Sequence, residues 1–408
     1  MDRPLEGIRV LSLEQGAALA FATRHLADLG AEVIRVDLHR DAHVPVPGPD
    51  LLRRKRRLGL DFESEGGRAL FRRLAAGCDV VAHDFMPEEA RQLGIDYATV
   101  RAGKPDVIHL SITGFGATGP YAERSLSASA AEAVSGHNEL IGPADAWPGR
   151  PGTEVYADST AGLNAVFAVL AALDHRDATG QGTSIDVSLH ETLVSHLGPV
   201  VAERSFGAPL PRRVGNGDSR YAVNGVFSTR GLDRHVAITA AREQLPALAG
   251  ALGITLAEDG ADAEVTLVSA LADRDGREVV EALQGAGVAA AEVADASDQS
   301  TDEHLWARGY FGVLGAGPAS MPVAGPAFGG GREIPMATPH ALGEDNEWVL
   351  SEVAGLSGAE IAAALESGAI GTKSEPAVEP LAPPELRIER GELSRADAVH
   401  DGWQRHVR

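Results

Sequence analysis

The sequence has little cysteine and few aromatic residues. Cys78 is the single cysteine among 408 residues, so neither an intramolecular disulfide nor a cysteine metal cluster is expected. Aromatic side chains make up 5% of the residues, whereas glycine alone occupies 47 positions. The core is therefore expected to consist mostly of small and aliphatic side chains.

Positive charge is also scarce. Lysine and arginine total 36 against 58 acidic residues, which gives a formal net charge of −22. Such a surface argues against nucleic-acid and anionic-membrane partners, and any anionic ligand must be met by local positive charge. We expect neither a signal peptide nor an apolar run of membrane-spanning length, and so predict a cytoplasmic protein.

The N-terminal part alternates strand and helix patterns. Gly7–Leu13 and Ala31–Val36 are predicted strands, and Ala17–Leu29 is the predicted helix between them. This βαβ unit predicts an α/β fold with a doubly wound parallel sheet, whose ligands bind at the carboxyl ends of strands. The pattern continues through these predicted elements: helix Glu65–Ala76, strand Asp79–His83, helix Pro87–Leu93 and strand Asp106–Ile112. No G-x-G-x-x-G or Walker motif follows the first strand, so the fold alone does not predict a nucleotide enzyme.

Changes in composition predict the domain organisation. Residues 1–195 form the predicted first part of a large domain, and 196–220 a linker rich in Pro, Arg and Gly towards its end. Residues 221–322 are predicted to form a smaller α+β domain. Residues 323–372 then return to the large domain, and 373–408 form a tail rich in Pro and Glu.

Asp158 is the strongest catalytic candidate that the residues provide. It precedes an almost uncharged run, Ser159–Leu173, with the composition of a buried helix. A helix N-terminus favours an ionised carboxylate, as a nucleophile requires, although a simple capping role explains the position equally well. The 14 histidines are scattered and predict no metal site, and no G-x-S-x-G elbow predicts a serine hydrolase.

Five consecutive basic residues, Arg53–Arg57, stand out in this acidic chain. Such a run is usually a solvated face. Because it opposes the overall charge, it is also a candidate binding patch for a phosphate-bearing ligand.

Several motifs together resemble the class III CoA-transferases, a family that also contains α-methylacyl-CoA racemases and carnitine-linked enzymes. The resemblance extends in order from about residue 4 to residue 371. The segments that carry it are Pro4–Leu11, Leu26–Val36, Lys55–Asp61, Ser111–Tyr121, Ala157–Gly162, Thr179–Gly182 and Arg213–Asn216.

This resemblance implies an acyl-CoA:carboxylate CoA-transferase and an interlocked homodimer. Asp158 matches the aspartate that attacks the acyl-CoA thioester, forms a mixed anhydride and then an aspartyl-CoA thioester, and passes CoA to a second carboxylic acid. The resemblance also implies coenzyme A, bound as acyl-CoA, and no metal. The residues that it places near CoA are Lys55, Arg56, Asp84, Phe85, Ala17 and Ala18.

Departures from the family pattern leave other functions open. The segment Ala18–Ala20 replaces the usual Ala-Gly-Pro, and Ala17 replaces a glutamine of formyl-CoA transferase. Ser127 stands where racemases have a catalytic histidine, so a racemase would need a substitute base such as His137. The lid glycines are reduced to one in Gly217–Arg220. A weakened CoA-binding subunit of a hetero-oligomer is the third hypothesis.

Overall fold

The chain forms two compact units. A computed structural model describes residues 3–38, 48–149, 156–209, 213–257, 262–315, 320–325, 327, 336–372, 386, 389 and 390. The large unit comprises Met1–His137, Pro151–Ala208 and Glu303–Arg408, and the small unit comprises Asn138–Arg150 and Pro209–Asp302. By this division the small unit ends at residue 302 and includes a second segment before Asp158, and the predicted domain boundaries stay predictions. Most of the predicted tail, 373–408, lies outside the described residues.

A six-stranded parallel sheet is the centre of the large unit, and it confirms the predicted doubly wound α/β fold. The strand order is β3-β2-β1-β4-β5-β6, so the order reverses between β1 and β4. In such sheets the crevice at that reversal is the usual ligand site. The strands are β1 (Arg9–Leu13), β2 (Glu32–Leu38), β3 (Lys55–Leu60), β4 (Val80–His83), β5 (Ile108–Thr113) and β6 (Thr183–Ser188).

Helices cover both faces of this sheet. Val10 and Ile108 belong to a buried cluster with α1, α6, α8 and α9, whereas Leu11 and Val81 belong to a second cluster with α3, α4 and α5. Alternate strand residues point to opposite faces, which explains why both faces have an apolar core. The helices before the main part of the small unit are α1 (Ala17–Asp28), α2 (Pro49–Leu52), α3 (Glu65–Ala76), α4 (Pro87–Leu93), α5 (Tyr97–Gly103), α6 (Ala128–Val134), α7 (His137–Leu140), α8 (Tyr156–Thr179), α9 (Leu189–His196) and α10 (Gly198–Ser205).

Helix α8 is the longest described helix, with 24 residues, and it packs against α1. Gly162 permits this packing, because a Cβ at this position would lie 2.9 Å from the carbonyl oxygen of Ala18. By length and composition α8 also passes a test for a membrane span, with a mean hydropathy of 1.3, contrary to the sequence expectation that no run does so. Its buried face belongs to the core of the large unit.

The basic run is part of a strand, contrary to its interpretation as a charged patch. Lys55 and Arg57 lie in β3 and are buried, and Arg53 is buried just before it. Arg53 bonds with Asp28 and Asp50, and Arg57 pairs with Asp37 at 2.9 Å. Most of the basic side chains in this run therefore form ion pairs within the chain. The interpretation of the run as a solvated face is therefore wrong for these three side chains, whereas ligand binding by the run stays a prediction.

The free edge of β3 is covered by later parts of the chain. The backbone N–H groups of Arg57 and Gly59 donate to the side chains of Asp345 and Asn346, at 2.8 and 2.9 Å. The N–H of Asp61 donates to the carbonyl of Ala369 at 2.9 Å. A Cβ on Gly59 would lie 2.0 Å from the carbonyl oxygen of Gly371, so only glycine permits this approach.

Glu14 is the centre of a buried charge network directly after β1. Its carboxylate accepts from Lys55 Nζ at 3.0 Å and from Arg35 at 2.6 Å. The hydroxyls of Ser12 and Thr23 also donate to it. Burial alone opposes ionisation of Glu14, but the two cations outweigh it and lower its pKa to about 2. Burial lowers the pKa of Lys55 to about 8. The network joins β1, β2, β3 and α1.

The small unit is an α+β domain, as predicted. Its strands pair antiparallel in the order β7-β8-β9, and its helices share one buried cluster with them. The sequence analysis missed α12 and α13. The elements are β7 (Val223–Ser228), β8 (His235–Ala240), a 3₁₀ turn (Arg242–Gln244), α11 (Leu245–Leu252), α12 (Ala263–Leu271), α13 (Gly276–Gly285), β9 (Ala289–Glu292) and α14 (Ala296–Ser300).

The chain then returns to the large unit. Two strands pair antiparallel, and two later helices are separated at Ser357, whose hydroxyl accepts from the N–H of Glu360 and so caps the second helix. The elements are α15 (Glu303–Ala307), β10 (Phe311–Leu314), β11 (Met321–Ala324), α16 (Asn346–Glu352) and α17 (Gly358–Glu366).

Candidate active site

A cavity of about 340 Å³ lies in the large unit at the carboxyl ends of β1, β4 and β5. Its wall contains four of the predicted site residues: Ala17, Ala18, Asp84 and Asp158. The position is where the strand order reverses, so fold and residues point to the same place. Lys55, Arg56 and Phe85 are not among its lining residues.

Asp158 lies in the first turn of α8, which begins two residues earlier, at Tyr156. Burial raises its pKa to about 6, and the negative charge of nearby Glu132 adds to this effect. The pKa is thus above the usual range of an aspartate, but at neutral pH the carboxylate is still mostly ionised. Within the described part of the chain, no hydrogen bond or ion pair is recorded for its carboxylate. An aspartate of this kind is ionised at neutral pH but is not tied to a structural donor.

Asp84 has a different environment, although it lines the same cavity. Its carboxylate accepts from the backbone N–H groups of Gln15, at 2.8 Å, and Gly16, at 2.7 Å. Burial raises its pKa to about 7, while these two N–H groups act in the opposite direction. Asp84 therefore joins the loop after β4 to the start of α1. It is a bridging group between the two sides of the crevice.

The turn that carries Asp84 and Phe85 is fixed by the histidine before it. His83 ends β4, and its Nδ1 accepts from the N–H of Phe85 at 3.3 Å. Burial, with the neighbouring His109, lowers the pKa of His83 to about 3, so the ring is neutral and able to accept. A neutral imidazole thus accepts from the backbone N–H of Phe85.

Phe85 lines a second cavity, of about 500 Å³, beyond the ends of β2 and β3. The apolar part of its wall includes Leu60, Phe62 and Leu93, and Arg68 is the one basic residue recorded in this lining. Asp84 and Phe85 thus face two separate cavities of the large unit. Their predicted position near CoA remains a prediction.

Lys55 and Arg56 have other contacts in this structure. The ammonium of Lys55 is fully enclosed between Glu14 and the carbonyl of Ala20, at 3.0 Å from each. Arg56 stacks on Trp348 at 3.5 Å and pairs with Asp345. CoA contact by these two residues remains a prediction. For Lys55 it requires the ammonium to leave Glu14.

The residues considered for a racemase are also placed by the structure. Ser127 lines the cavity and caps α6, where its hydroxyl accepts from the N–H of Ala130. His137 instead contacts the rings of Tyr156 and His196, and its Nδ1 is 2.9 Å from the hydroxyl of Ser135. The described cavity wall contains no histidine. Among the described residues, His137 is thus not part of the lining of the cavity that contains Asp158.

Sequence reasoning missed three residues of the site. Gln15 and Arg124 line the cavity, and buried Glu132 acts electrostatically on Asp158. Gln15 could have been predicted, because it lies two residues after β1, in the loop at the carboxyl end of a predicted strand. Arg124 and Glu132 had no such signal, because they depend on where α6 packs. Among the described residues, no group of three His, Cys, Asp or Glu side chains is arranged to hold a metal ion.

Fold and site together define a class: a parallel α/β protein with a carboxylate at the strand-order reversal. The sequence profile of CoA-transferase family III matches residues 5–346, and the chain belongs to this family. It is 32% identical to the human succinyl-CoA:glutarate CoA-transferase over 59% of this chain and 57% of that protein. It is 29% identical to the beta subunit of the Chloroflexus aurantiacus succinyl-CoA–L-malate CoA-transferase, over 88% of this chain and 96% of that subunit.

Solved structures agree with the fold. A CaiB/BaiF family protein from Brucella suis has a TM-score of 0.77 and 28% identity, over 86% of this chain and 99% of that chain. A Mycobacterium tuberculosis protein has a TM-score of 0.71 and 26% identity, over 85% of this chain and 99% of that one. The match spans less than three fifths of the length of the human relative. These curated relatives are named as CoA-transferases. The name of the human relative mentions no subunit, whereas the Chloroflexus aurantiacus enzyme is named by its alpha and beta subunits.

Proposed function

We propose that this protein is a CoA-transferase that moves CoA from an acyl-CoA to a carboxylic acid, with Asp158 as the nucleophile. One observation carries the proposal. Asp158 lines the cavity at the strand-order reversal and has no recorded partner among the described residues, whereas both oxygens of Asp84 bond with backbone N–H groups. Asp158 is therefore the carboxylate of this cavity that is available to react.

The reaction needs only carboxylates and a thiolate. A carboxylate oxygen of Asp158 attacks the thioester carbonyl and expels the CoA thiolate, which gives an acyl-aspartyl anhydride. The thiolate then attacks the aspartyl carbonyl and releases the first acid, leaving an aspartyl-CoA thioester. The acceptor carboxylate attacks the aspartyl carbonyl of this thioester and expels the thiolate, which gives a second anhydride. The thiolate then attacks the acyl carbonyl of the acceptor, which forms the new acyl-CoA and releases Asp158 as a carboxylate. No step consumes a proton.

The pKa of Asp158 suits this role. A carboxylate with a pKa of about 6 is ionised at neutral pH, and it is more basic than an exposed aspartate. Because partial burial removes water from it, its attack requires less loss of hydration at the moment of reaction. Asp84 contributes by holding the loop of Gln15 and Gly16 at the cavity wall.

A trapping experiment tests this proposal. The protein is incubated with succinyl-CoA, treated with borohydride or hydroxylamine, and digested for mass spectrometry. We expect the modification to lie on the peptide that contains Asp158, since anhydrides and thioesters of aspartate react with both reagents. Parallel trials use acetyl-CoA and butyryl-CoA. Protein that binds these acyl-CoAs but is never modified at Asp158 contradicts the proposal and supports a non-catalytic CoA-binding subunit.

We also propose that the chain acts as a homodimer. Three apolar side chains on one side of α8 are exposed in the single chain: Leu163 at 49%, Phe167 at 74% and Leu170 at 36%. They are spaced four and three residues apart, so they form one stripe, and exposed stripes of this kind mark protein interfaces. Sedimentation of the purified chain is expected to give twice the monomer mass. A monomer at micromolar concentration contradicts this proposal.

A further inference from the structure

We propose that Arg124 binds a second carboxylate on the acyl group, so that the preferred substrates are dicarboxylic acids and their CoA half-thioesters. This inference rests on the proposed function of Asp158 and concerns the same cavity. Arg124 is the one cationic residue recorded in the cavity lining, which otherwise includes the carboxylates of Asp84 and Asp158. A ligand with an additional negative charge is repelled by these two acids unless Arg124 compensates for it.

The guanidinium of Arg124 is available to a ligand. It stacks on the ring of Tyr121 at 4.5 Å, and Tyr121 in turn contacts Phe115 with ring centroids 5.3 Å apart. Stacking uses the face of a guanidinium and leaves the N–H donors at its edge free for a bidentate carboxylate. Within the part of the chain that the structure describes, no ion pair or hydrogen bond is recorded for this guanidinium.

The neighbouring acid does not compete for Arg124. The carboxylate of Glu123 accepts from the backbone N–H of Glu88 at 3.1 Å and lies 3.6 Å from a guanidinium nitrogen of Arg91. Arg124 therefore has no acidic partner among the described residues, in a chain with a net charge of −22. Lys55, by contrast, forms an ion pair with Glu14.

The wall beside Arg124 is polar as well. Ser125 and Ser127 line the same cavity, and the oxygen of Ser127 accepts from the N–H of Ala130, which leaves its own hydroxyl hydrogen free to donate. A purely aliphatic acyl chain makes no hydrogen bond with these exposed groups. A carboxylate at the far end of the acyl group satisfies all three side chains. Arg124 is therefore a specificity-determining residue in this proposal.

The test compares two donors with four-carbon acyl chains. Succinyl-CoA ends in a carboxylate where butyryl-CoA ends in a methyl group, and the CoA part is identical. We expect the wild type to prefer succinyl-CoA in kcat/KM for transfer to a common acceptor, glutarate. In Arg124→Gln this preference is expected to fall roughly 10- to 100-fold, the usual range for a lost hydrogen-bonded charge. Arg124→Lys retains part of it, because the charge remains.

Arg101→Gln is the matched control, since Arg101 is also exposed and lies over a tyrosine ring, Tyr97, but outside both cavities. It is expected to leave the preference unchanged. An equal loss for both donors in Arg124→Gln overturns the inference, because Arg124 then contacts the shared CoA part. A wild type that does not distinguish the two donors also overturns it.

Calorimetric binding of the same two acyl-CoAs separates the two proposals. Binding needs no turnover, so the effect of Arg124→Gln on the ratio of dissociation constants is measurable even if no transfer occurs. Absence of transfer together with an Arg124-dependent ratio contradicts only the proposed reaction. Transfer with a ratio that does not depend on Arg124 contradicts only this inference. Circular dichroism of each variant verifies that the fold is intact.

Discussion

Replacing Asp158 by asparagine is expected to lower the rate of CoA transfer by at least about 1,000-fold, as loss of a nucleophile does in other covalent enzymes. Asparagine keeps the size of the side chain but cannot form the anhydride. The measurement is kcat for CoA transfer, with acyl-CoA binding as a second readout. We expect binding to persist, since the change removes a negative charge from the cavity.

The control for this variant lies on the same helix. Asp174→Asn makes the same chemical change at an exposed position near the other end of α8. It is expected to leave transfer within about two-fold of the wild type, because surface substitutions away from the site have small effects. If Asp158→Asn retains full activity, Asp158 is not the nucleophile.

The wild-type rate is also expected to rise with pH through about 6, as Asp158 loses its proton.

Replacing Glu14 by glutamine is expected to lower the free energy of unfolding by about 3–5 kcal/mol. Glu14 is buried between Lys55 and Arg35, and its carboxylate is the acceptor for both. Without its charge these two cations remain buried at close range with less compensation. Urea unfolding at pH 7 measures the effect, and the midpoint is expected to fall accordingly. An unchanged midpoint would show that the network adds nothing to stability.

Glu32→Gln is the matched control. Glu32 also has two cationic partners, Arg9 at 2.9 Å and Arg56 at 3.3 Å, but about a third of each side chain is exposed. The expected loss is about 0–1 kcal/mol, because water screens the pairs. The comparison addresses burial, since the type of residue and the number of cationic partners are the same.

The effect of Glu14 also depends on pH, with a defined sign. Its pKa is about 2 in the folded protein and 4.5 in the unfolded chain, so the unfolded state binds the proton more readily. Its stabilisation is complete above about pH 5 and is lost as the pH falls towards 2. The difference between wild type and Glu14→Gln is therefore expected to narrow by about 2 kcal/mol from pH 6 to pH 3. A constant difference contradicts this.

The sequence predicted most of the sheet because its central strands are apolar. Strands such as β4 and β5 are buried on both faces, and a short run of Val, Ile and Leu residues in the sequence indicates a strand of this kind. Strand β3 was missed for the opposite reason. Lys55, Arg56 and Arg57 have the pattern of a solvated run. The burial of Lys55 and Arg57 depends on acids that are distant in sequence, Glu14 and Asp37. Such pairing over long sequence separations has no local signal.

The site was predictable to a similar degree. The resemblance identified Asp158 and the loop at Ala17, and the structure places these side by side in one cavity. It did not indicate that Asp84 bonds with the N–H groups at the start of α1, nor that Lys55 is enclosed. These are properties of packing between β1, β3 and β4. A single sequence shows which residue types are present but not which of their charges are already neutralised by neighbours.

The covering of β3 has a consequence for how copies of this chain avoid each other. An uncovered edge strand offers a row of N–H and carbonyl groups to any other strand, which is a route to aggregation. Here Asp345, Asn346 and Ala369 occupy that row, and Gly59 keeps the covering segment too close for another strand to enter. Residues from the far end of the chain thus protect the N-terminal sheet. A chain still being synthesised has this edge open until residue 371 has emerged.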